Sequence, residues 1–159
     1  MKQTITIPSS VEEITLGQWQ RFVSIDEPTD EQAVEIFCGL SKEQILEMPS
    51  NIFDKALSSL ASVLEAVSGH HDLQTLAELD GDRYGMIPNL SDISYGENKD
   101  ITTFLGSWDT MHLAMAVLYR KVTNTSTGTY AIEKYKGIKD RELMKQLPLD
   151  IVLGAQVFF

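Results

Sequence analysis

Apolar residues recur at steps of three and four through residues 10–69, which is the spacing of one face of an α-helix. A succession of short helices is therefore predicted. Three of them open with Ser or Thr followed three residues later by Gln, the pattern of a reciprocal capping box: Thr15 with Gln18, Thr29 with Gln32, and Ser41 with Gln44. Gly39 and Pro49 are predicted to end the second and third of these helices.

The longest helix predicted in this half begins at Ser50, as its cap, and ends at Gly69. Its apolar stripe is expected to pack against the shorter helices and consists of Ile52, Phe53, Ala56, Leu57, Leu60, Val63, Leu64 and Val67. Ahead of all the helices, the alternating β-branched residues Thr4 to Ile7 predict a strand that Pro8 ends.

Residues 70–99 lack a helical period and collect turn residues, so a hairpin or a small sheet is predicted inside this connection. Asp80, Gly81 and Asp82 predict a type I turn with solvated carboxylates. The segment 85–88 that follows is predicted to be extended.

A second strong helix is predicted to start at Asp100 or Thr102. Its apolar face is formed by Phe104, Leu105, Trp108, Met111, His112, Met115, Leu118 and Tyr119. Alanines at positions 114 and 116 add helix propensity within this segment.

The pattern after residue 120 predicts shorter elements. Residues 123–129 predict a polar turn, and residues 130–135 alternate as a strand does. Asp140 is predicted to cap a short helix that ends at Leu147, before a proline. Asp150 is predicted to open a last helix.

These elements add up to a mainly α protein with a few short β-strands, of the α+β class, folded as a single compact helical domain over residues 1–159. A mass of 17.8 kDa suits one domain with a sizeable core. Within it we distinguish an acidic helical N-terminal half (1–69), a turn-rich or hairpin connection (70–99), and a part with the second helix and the C-terminus (100–159).

The net charge of −10 is confined to one half of the chain. Residues 1–80 hold four Lys and Arg against fourteen Asp and Glu, whereas residues 81–159 hold nine of each kind. Such an excess of acid repels phosphate backbones and argues against nucleic-acid binding. It is typical of a solvated face, and it also suits contact with a basic partner or with the basic stretch 120–145 of another copy.

Composition favours a soluble protein of a reducing compartment. Hydrophobic residues make up 43% of the chain and charged residues 23%. No apolar run approaches the roughly 18 residues of a membrane span, and the N-terminus has no apolar signal region. Cys38 cannot form an intramolecular disulfide by itself, and its place at a helix end indicates a buried thiol.

No combination of residues predicts catalysis, so we expect a protein without enzymatic activity, cofactor or metal site. His70, His71 and Asp72 are the strongest candidates for a metal, because imidazoles and carboxylates are metal ligands. Adjacent helical residues point about 100° apart, however, so a polar helix end is the preferred interpretation. Residues 80–85 resemble the start of a calcium loop, but Ser91 stands where that loop needs Glu.

Two further features have both a binding and a structural interpretation. Tyr130 and Tyr135 interleave with Lys134 and Lys136, which suits base stacking, but the overall acidity favours an edge strand protected by lysines. The C-terminal segment 149–159 is almost entirely apolar. It is expected to lie in its own core, to lie against a partner, or to continue into further residues.

Five short segments resemble, in order, a group of small tailed-bacteriophage proteins that includes tail assembly chaperones. They are IPSSVEEITLGQWQRF, YGMIPNLSDISYGENKDI, LAMAVLYRKV, YAIEKY and LPLDIVLGAQVFF. The first resembles an I-P-x-x-W-x-E-I-T-x-G-Q-F pattern, the third an L-Y-R-P pattern and the last a G-A-x-x-F-F pattern. The chain departs from these patterns at Val11, where an aromatic residue is expected, and at Lys121, where proline is expected.

The resemblance implies a non-enzymatic role in virion morphogenesis, as a tail assembly chaperone or a virion-associated structural protein in the host cytoplasm. Its partners would be other phage proteins, of the tape-measure or tail-tube type, or further copies of itself, with no nucleic acid and no membrane. Trp108, Met111, Met115 and Tyr119 are candidates to line a groove for an apolar client segment, although the same stripe is typical of a domain core.

Two other functions stay open. An acidic inhibitor or nucleic-acid mimic would bind in a salt-sensitive way through a phosphate-like surface made of Glu12, Glu13, Asp26, Glu27, Asp30, Glu31 and Glu35. A metal-dependent hydrolase would use His70, His71 and the nearby acids, and its stability would rise with metal.

Overall fold

The helices of the N-terminal half begin where side chains satisfy free amide groups. The computed structural model describes residues 4–125 and 129–158. In it, α1 (Leu16–Val23), α2 (Asp30–Cys38) and α3 (Lys42–Glu47) follow the three predicted capping boxes, which are confirmed. At α1, the Gln18 amide donates to Thr15 Oγ1 at 3.2 Å, and the Thr15 amide donates to Gln18 Oε1 at 2.9 Å.

The fourth helix, α4 (Ser50–Val67), packs its apolar stripe against α2. The buried residues of that stripe are Ala56, Leu60 and Val63. Pro49 occupies the cap position and no side chain caps this helix, so the predicted Ser50 cap is wrong by one position. Gly39 ends α2 in the left-handed conformation, with φ at 65°, as predicted.

The segment before the helices lies against the helical core without forming a strand. Ile5 and Ile7 are partly buried there while Thr4 and Thr6 are exposed, so the predicted alternation of side chains is present. No described strand pairs with this segment, and a 3₁₀ turn at Val11–Glu13 follows it. The predicted strand is wrong because alternation alone does not supply the hydrogen-bonding partner that a strand requires.

The hairpin predicted in the connection is confirmed and belongs to an antiparallel sheet. Among the described residues the sheet contains, in chain order, β1 (Leu76–Leu79), β2 (Asp82–Met86), β3 (Tyr119–Asn124) and β4 (Ala131–Ile132). Asp80 and Gly81 have positive φ values of 50° and 82°, which define a type I′ turn instead of the predicted type I. The primed turn matches the right-handed twist of paired strands, whereas a type I turn would splay them.

The single helix predicted after residue 100 is two helices with a break between them. The first, α5 (Tyr95–Phe104), begins earlier than predicted because Ser94 and Glu97 form a fourth capping box. It ends just before Gly106, and a 3₁₀ turn then leads into α6 (Met111–Leu118). Glycine is a poor helix former, and the apolar period continues across the break, which is why the pattern predicted one helix.

Residues 123–147 contain less regular structure than predicted. Strand β4 covers two residues of the predicted strand 130–135, and the predicted polar turn overlaps β3 and residues 126–128, which lie outside the described part of the chain. The predicted helix from Asp140 is a 3₁₀ turn at Leu143–Gln146. Asp140 has φ at 57° and so lacks the extended backbone of a helix cap.

The last helix, α7 (Leu149–Phe158), confirms the prediction of a helix near Asp150 and joins two hydrophobic clusters. Leu149 and Leu153 pack with the N-terminal helices, whereas Val152 and Ala155 pack with the sheet and α6. Of the three expectations for the apolar C-terminal segment, residues 149–155 meet the first, burial in the protein's own core.

Main-chain hydrogen bonds tie this helix to the start of α1. The Leu16 amide donates to the Leu147 carbonyl at 2.8 Å, and the Leu149 amide donates to the Ile14 carbonyl at 2.7 Å. The helices and the sheet therefore form one α+β domain, as predicted from the sequence. None of the helices in the described residues is both long enough and apolar enough to cross a membrane.

Gly154 sets the closest approach of α7 to another segment. A Cβ atom at this position would overlap the main-chain carbonyl of Asp72, with the carbonyl carbon at 2.8 Å. We expect Gly154→Ala to lower the free energy of unfolding by about 2 kcal/mol, because a Cβ atom cannot overlap a main-chain carbonyl and one of the two backbones must shift. Urea unfolding followed by circular dichroism measures this change.

The matched control is Gly106→Ala, where a Cβ atom would meet nothing within 4 Å. This control should stay within about 1 kcal/mol of the wild type. Equal stabilities for the two variants would contradict the assigned contact between α7 and residue 72.

Candidate functional site

His70 and His71 lie at the end of a helix, which agrees with the preferred interpretation of the sequence. His71 Nε2 donates to the carbonyls of Ala66 and Val67, at 3.1 and 3.2 Å, and so caps the last turn of α4. His70 Nε2 lies 2.9 Å from Asp72 Oδ1, and both side chains are exposed. Within the described residues, no group of three or more His, Cys, Asp and Glu is arranged to hold a metal ion.

Cys38 is buried at the end of α2, as predicted. Burial raises the pKa of its thiol above the ordinary value. A thiol in this setting is mostly protonated at neutral pH, so it packs as a small apolar side chain.

The stripe considered for a client groove forms the core instead. Met111, Met115 and Tyr119 are almost completely buried among α6, the sheet and α7. The Tyr119 hydroxyl donates to the Gln74 carbonyl at 2.5 Å. Trp108 is half-buried and makes an edge-on contact with Trp19, with ring centroids 6.0 Å apart. The stripe therefore does not form a groove for an apolar client segment.

A buried polar contact links α1 to α6. The Gln20 amide nitrogen donates to the Trp108 carbonyl at 2.7 Å and lies 2.9 Å from His112 Nδ1. Because the amide nitrogen is a donor, Nδ1 accepts and the ring proton lies on Nε2. Burial lowers the pKa of His112, and the cations Lys145 and Arg141 lower it further, against the smaller opposing effect of Glu142.

This contact predicts a pH-dependent stability. Because the pKa of His112 is lower in the folded than in the unfolded chain, the unfolded chain binds the proton first as the pH falls. The stabilisation is complete above about pH 6.5 and declines below it. We expect His112→Gln to flatten the fall in unfolding free energy between about pH 7 and about pH 5, measured by urea unfolding at each pH. Parallel curves for the two proteins would contradict this role.

An apolar groove of about 350 Å³ lies between α1, α2 and α4. Its walls, which we call the helical groove, consist of Phe22, Pro28, Thr29, Asp30, Ala33, Leu57, Leu60, Ala61 and Leu64. Leu57, Ala61 and Leu64 follow one another at helical steps and form a strip along one side of α4. Phe22 is held in place by Phe37, at a ring-centroid distance of 5.0 Å.

One carboxylate lines the helical groove, and others are close to it in the sequence. Asp30 is one of its lining residues, and Glu31, Asp26 and Glu27 are exposed close by in the chain. Glu35, which the sequence also assigned to an acidic surface, lies 3.6 Å from the guanidinium of Arg21. The charges beside the groove therefore favour a bound segment that carries basic residues next to its apolar ones.

A second concave site, of about 480 Å³, lies beside β3 and β4 and collects the basic residues of the second half of the chain. This lysine cavity is lined by Ala116, Tyr119, Arg120, Lys121, Thr123, Glu133, Lys134, Lys136, Gly137, Ile138, Lys139 and Asp140. Five of these side chains are basic and two are acidic, so the cavity is positive on a protein whose net charge is −10.

The cations of the lysine cavity differ in how they are paired. Lys121 Nζ lies 3.1 Å from Asp82, and Lys139 Nζ lies 3.5 Å from Glu133. Lys134 and Lys136 are exposed and form no ion pair with a described residue. Two positive charges of the cavity are therefore available to a ligand.

The tyrosines considered for base stacking have structural contacts instead. The Tyr130 hydroxyl donates to the Met86 carbonyl at 2.7 Å, and its ring lies so close to Gly85 that a Cβ atom there would overlap it. The Tyr135 hydroxyl donates to Asp100, and its ring lies beneath the guanidinium of Arg120, 5.3 Å from the centroid. Both rings are partly buried against the protein.

Arg120 fixes the wall of the lysine cavity. Its Nε donates to the Glu133 carbonyl at 2.7 Å, Nη1 to the Val117 carbonyl at 2.6 Å, and Nη2 to Glu97 Oε2 at 3.0 Å. Arg120 and Glu97 expose only 12% and 11% of their side chains. Burial alone would raise the pKa of Glu97, but hydrogen bonds from Ser94 and the charge of Arg120 outweigh it and hold the pKa below the ordinary value.

Glu97→Gln tests the buried pair. The amide can still serve the capping box, but the charge of Arg120 loses its only carboxylate partner among the described residues. We expect the free energy of unfolding to fall by about 3 kcal/mol at neutral pH, measured in urea. Because the pKa of Glu97 is lowered by folding, this difference should shrink as acid protonates the wild-type carboxylate.

The control for this substitution is Glu142→Gln, which removes the exposed pair between Glu142 and Lys145, 3.0 Å apart. It should cost less than about 1 kcal/mol. A Glu97→Gln variant as stable as this control would show that the buried pair does not hold the fold together.

Comparison of the chain with protein families, with curated proteins and with solved structures finds no significant match. The two concave sites and the five sequence segments are therefore the features of the chain that bear on its function.

Proposed function

We propose that this chain is a non-enzymatic bacteriophage protein of virion morphogenesis, similar to a tail assembly chaperone or a virion-associated structural protein. It acts in the host cytoplasm or on the assembling virion and binds other phage proteins, of the tape-measure or tail-tube type. The resemblance of the five segments supports the class of protein. The helical groove is the structural observation that carries the binding role, because it is an accessible apolar strip on a stable scaffold.

The helical groove suits an amphipathic helix of the partner. Leu57, Ala61 and Leu64 can meet apolar side chains that recur on the partner at steps of three and four. Burying one large apolar side chain contributes about 1.5–3 kcal/mol, so a few anchors account for specific but reversible binding. The carboxylates of Asp30 and Glu31 favour a partner segment with basic flanks.

An acidic inhibitor or nucleic-acid mimic is the competing proposal, since many carboxylates of the N-terminal half are exposed. The two functions differ in their response to salt. Contacts between exposed charges weaken at high ionic strength, whereas burial of apolar surface does not.

Paired substitutions along α4 test the groove. Leu57→Gln combined with Leu64→Gln places two amides in the apolar strip, while Ser62→Gln places one amide on the exposed face of the same helix. Each tagged protein is co-expressed with the tape-measure protein or the tail-tube protein of the same phage. The complexes are purified at about 50 mM and about 500 mM salt.

We expect wild type and Ser62→Gln to retain the phage protein at both salt concentrations and the double variant to retain less than about a tenth as much. Circular dichroism of the double variant serves as the control for correct folding. Recovery that disappears at high salt and is unaffected by the leucine substitutions would contradict the groove and favour the acidic surface.

A further inference from the structure

The lysine cavity and one acidic turn of the same chain are complementary in charge. The cavity is concave and presents Lys134 and Lys136, which have no ion-pair partner among the described residues. Its wall contains two residues in the left-handed region, Gly137 with φ at 103° and Asp140 with φ at 57°. Both residues line the cavity beside β3.

The acidic turn connects α1 to α2. Asp26 and Glu27 lie in it, both are exposed, and neither forms an ion pair with a described residue. Glu27 has φ at 52°, which is uncommon for a residue other than glycine and turns the chain sharply ahead of Pro28. Two other carboxylates, those of Glu35 and Asp82, pair within the chain with Arg21 and Lys121.

We infer that Asp26 and Glu27 of one copy dock into the lysine cavity of a second copy, where they pair with Lys134 and Lys136. The contact uses carboxylates next in sequence to the helical groove but none of the residues that line that groove. Turn and cavity belong to different parts of the fold, the helical half and the sheet, so each contact joins two different surfaces. A twofold-symmetric dimer uses both turns and both cavities at once.

The net charge of −10 on each copy does not prevent this contact. At physiological ionic strength the Debye length is about 8 Å, so charges on distant surfaces are screened while charges a few ångström apart still attract. The attraction comes from solvent-exposed groups, and association should therefore be reversible and weaker at high salt.

Charge-reversal variants test the contact on the full chain. The cavity variant is Lys134→Glu with Lys136→Glu, and the turn variant is Asp26→Lys with Glu27→Lys. The control variant, Lys55→Glu with Lys99→Glu, reverses two exposed lysines that do not line the cavity. Sedimentation velocity measures self-association over a range of concentrations at about 50 mM and about 500 mM salt.

We expect wild type and the control variant to associate at low salt and to dissociate at high salt. Each charge-reversed variant alone should associate at least about tenfold more weakly. Mixing the cavity variant with the turn variant should restore assembly, because each contact then joins opposite charges again.

Carbodiimide cross-linking of wild type provides a second measurement that does not depend on any variant. Isotopically light and heavy copies are mixed, and mass spectrometry identifies amide bonds between copies. Bonds that join Lys134 or Lys136 to Asp26 or Glu27 support the contact. A wild type that stays monomeric, variants that associate like wild type, or a mixture that fails to assemble would each overturn it.

Discussion

The buried ion pair between Arg120 and Glu97 determines how the second half of the chain is arranged. Arg120 lies at the point where α6 passes into β3, and its donors reach the end of α6, the segment after β4 and the first turn of α5. Burying a guanidinium costs free energy unless its N–H groups donate to acceptors. The three segments that supply these acceptors must therefore meet at one place. Tyr135 then covers the guanidinium and fixes the segment after β4 that forms a wall of the lysine cavity.

Local signals in the sequence predicted local features of the fold. The capping boxes at Thr15, Thr29 and Ser41 depend on residues three apart, and the sequence identified all three of them. The same pattern at Ser94 was obscured by Gly96, which suggested a turn instead of a helix start. The strand predicted at residues 4–7 and the helix predicted after residue 100 were wrong because pairing and helix breaks depend on distant neighbours that a periodic pattern does not contain.

The concave sites were less predictable than the fold. The helical groove exists because α1, α2 and α4 do not close completely over Leu57 and Leu64, and the sequence assigned both leucines to a packed stripe. The basic stretch 120–145 indicated where positive charge would collect, but charge alone does not predict the concave wall of the lysine cavity. The two sites differ in chemistry, one apolar and one charged, so partner contacts at each would respond to different solution conditions.

The position of α7 also has a consequence for biosynthesis. Leu149 and Leu153 complete the hydrophobic cluster of the N-terminal helices, and residues 147–149 share main-chain hydrogen bonds with residues 14–16. A nascent chain that has already made α1 to α4 therefore still exposes part of that cluster on the ribosome. The helical half can become fully stable only when α7 has emerged and closed a loop across most of the chain. The half that is translated first thus completes its core only when the last helix of the chain has been made.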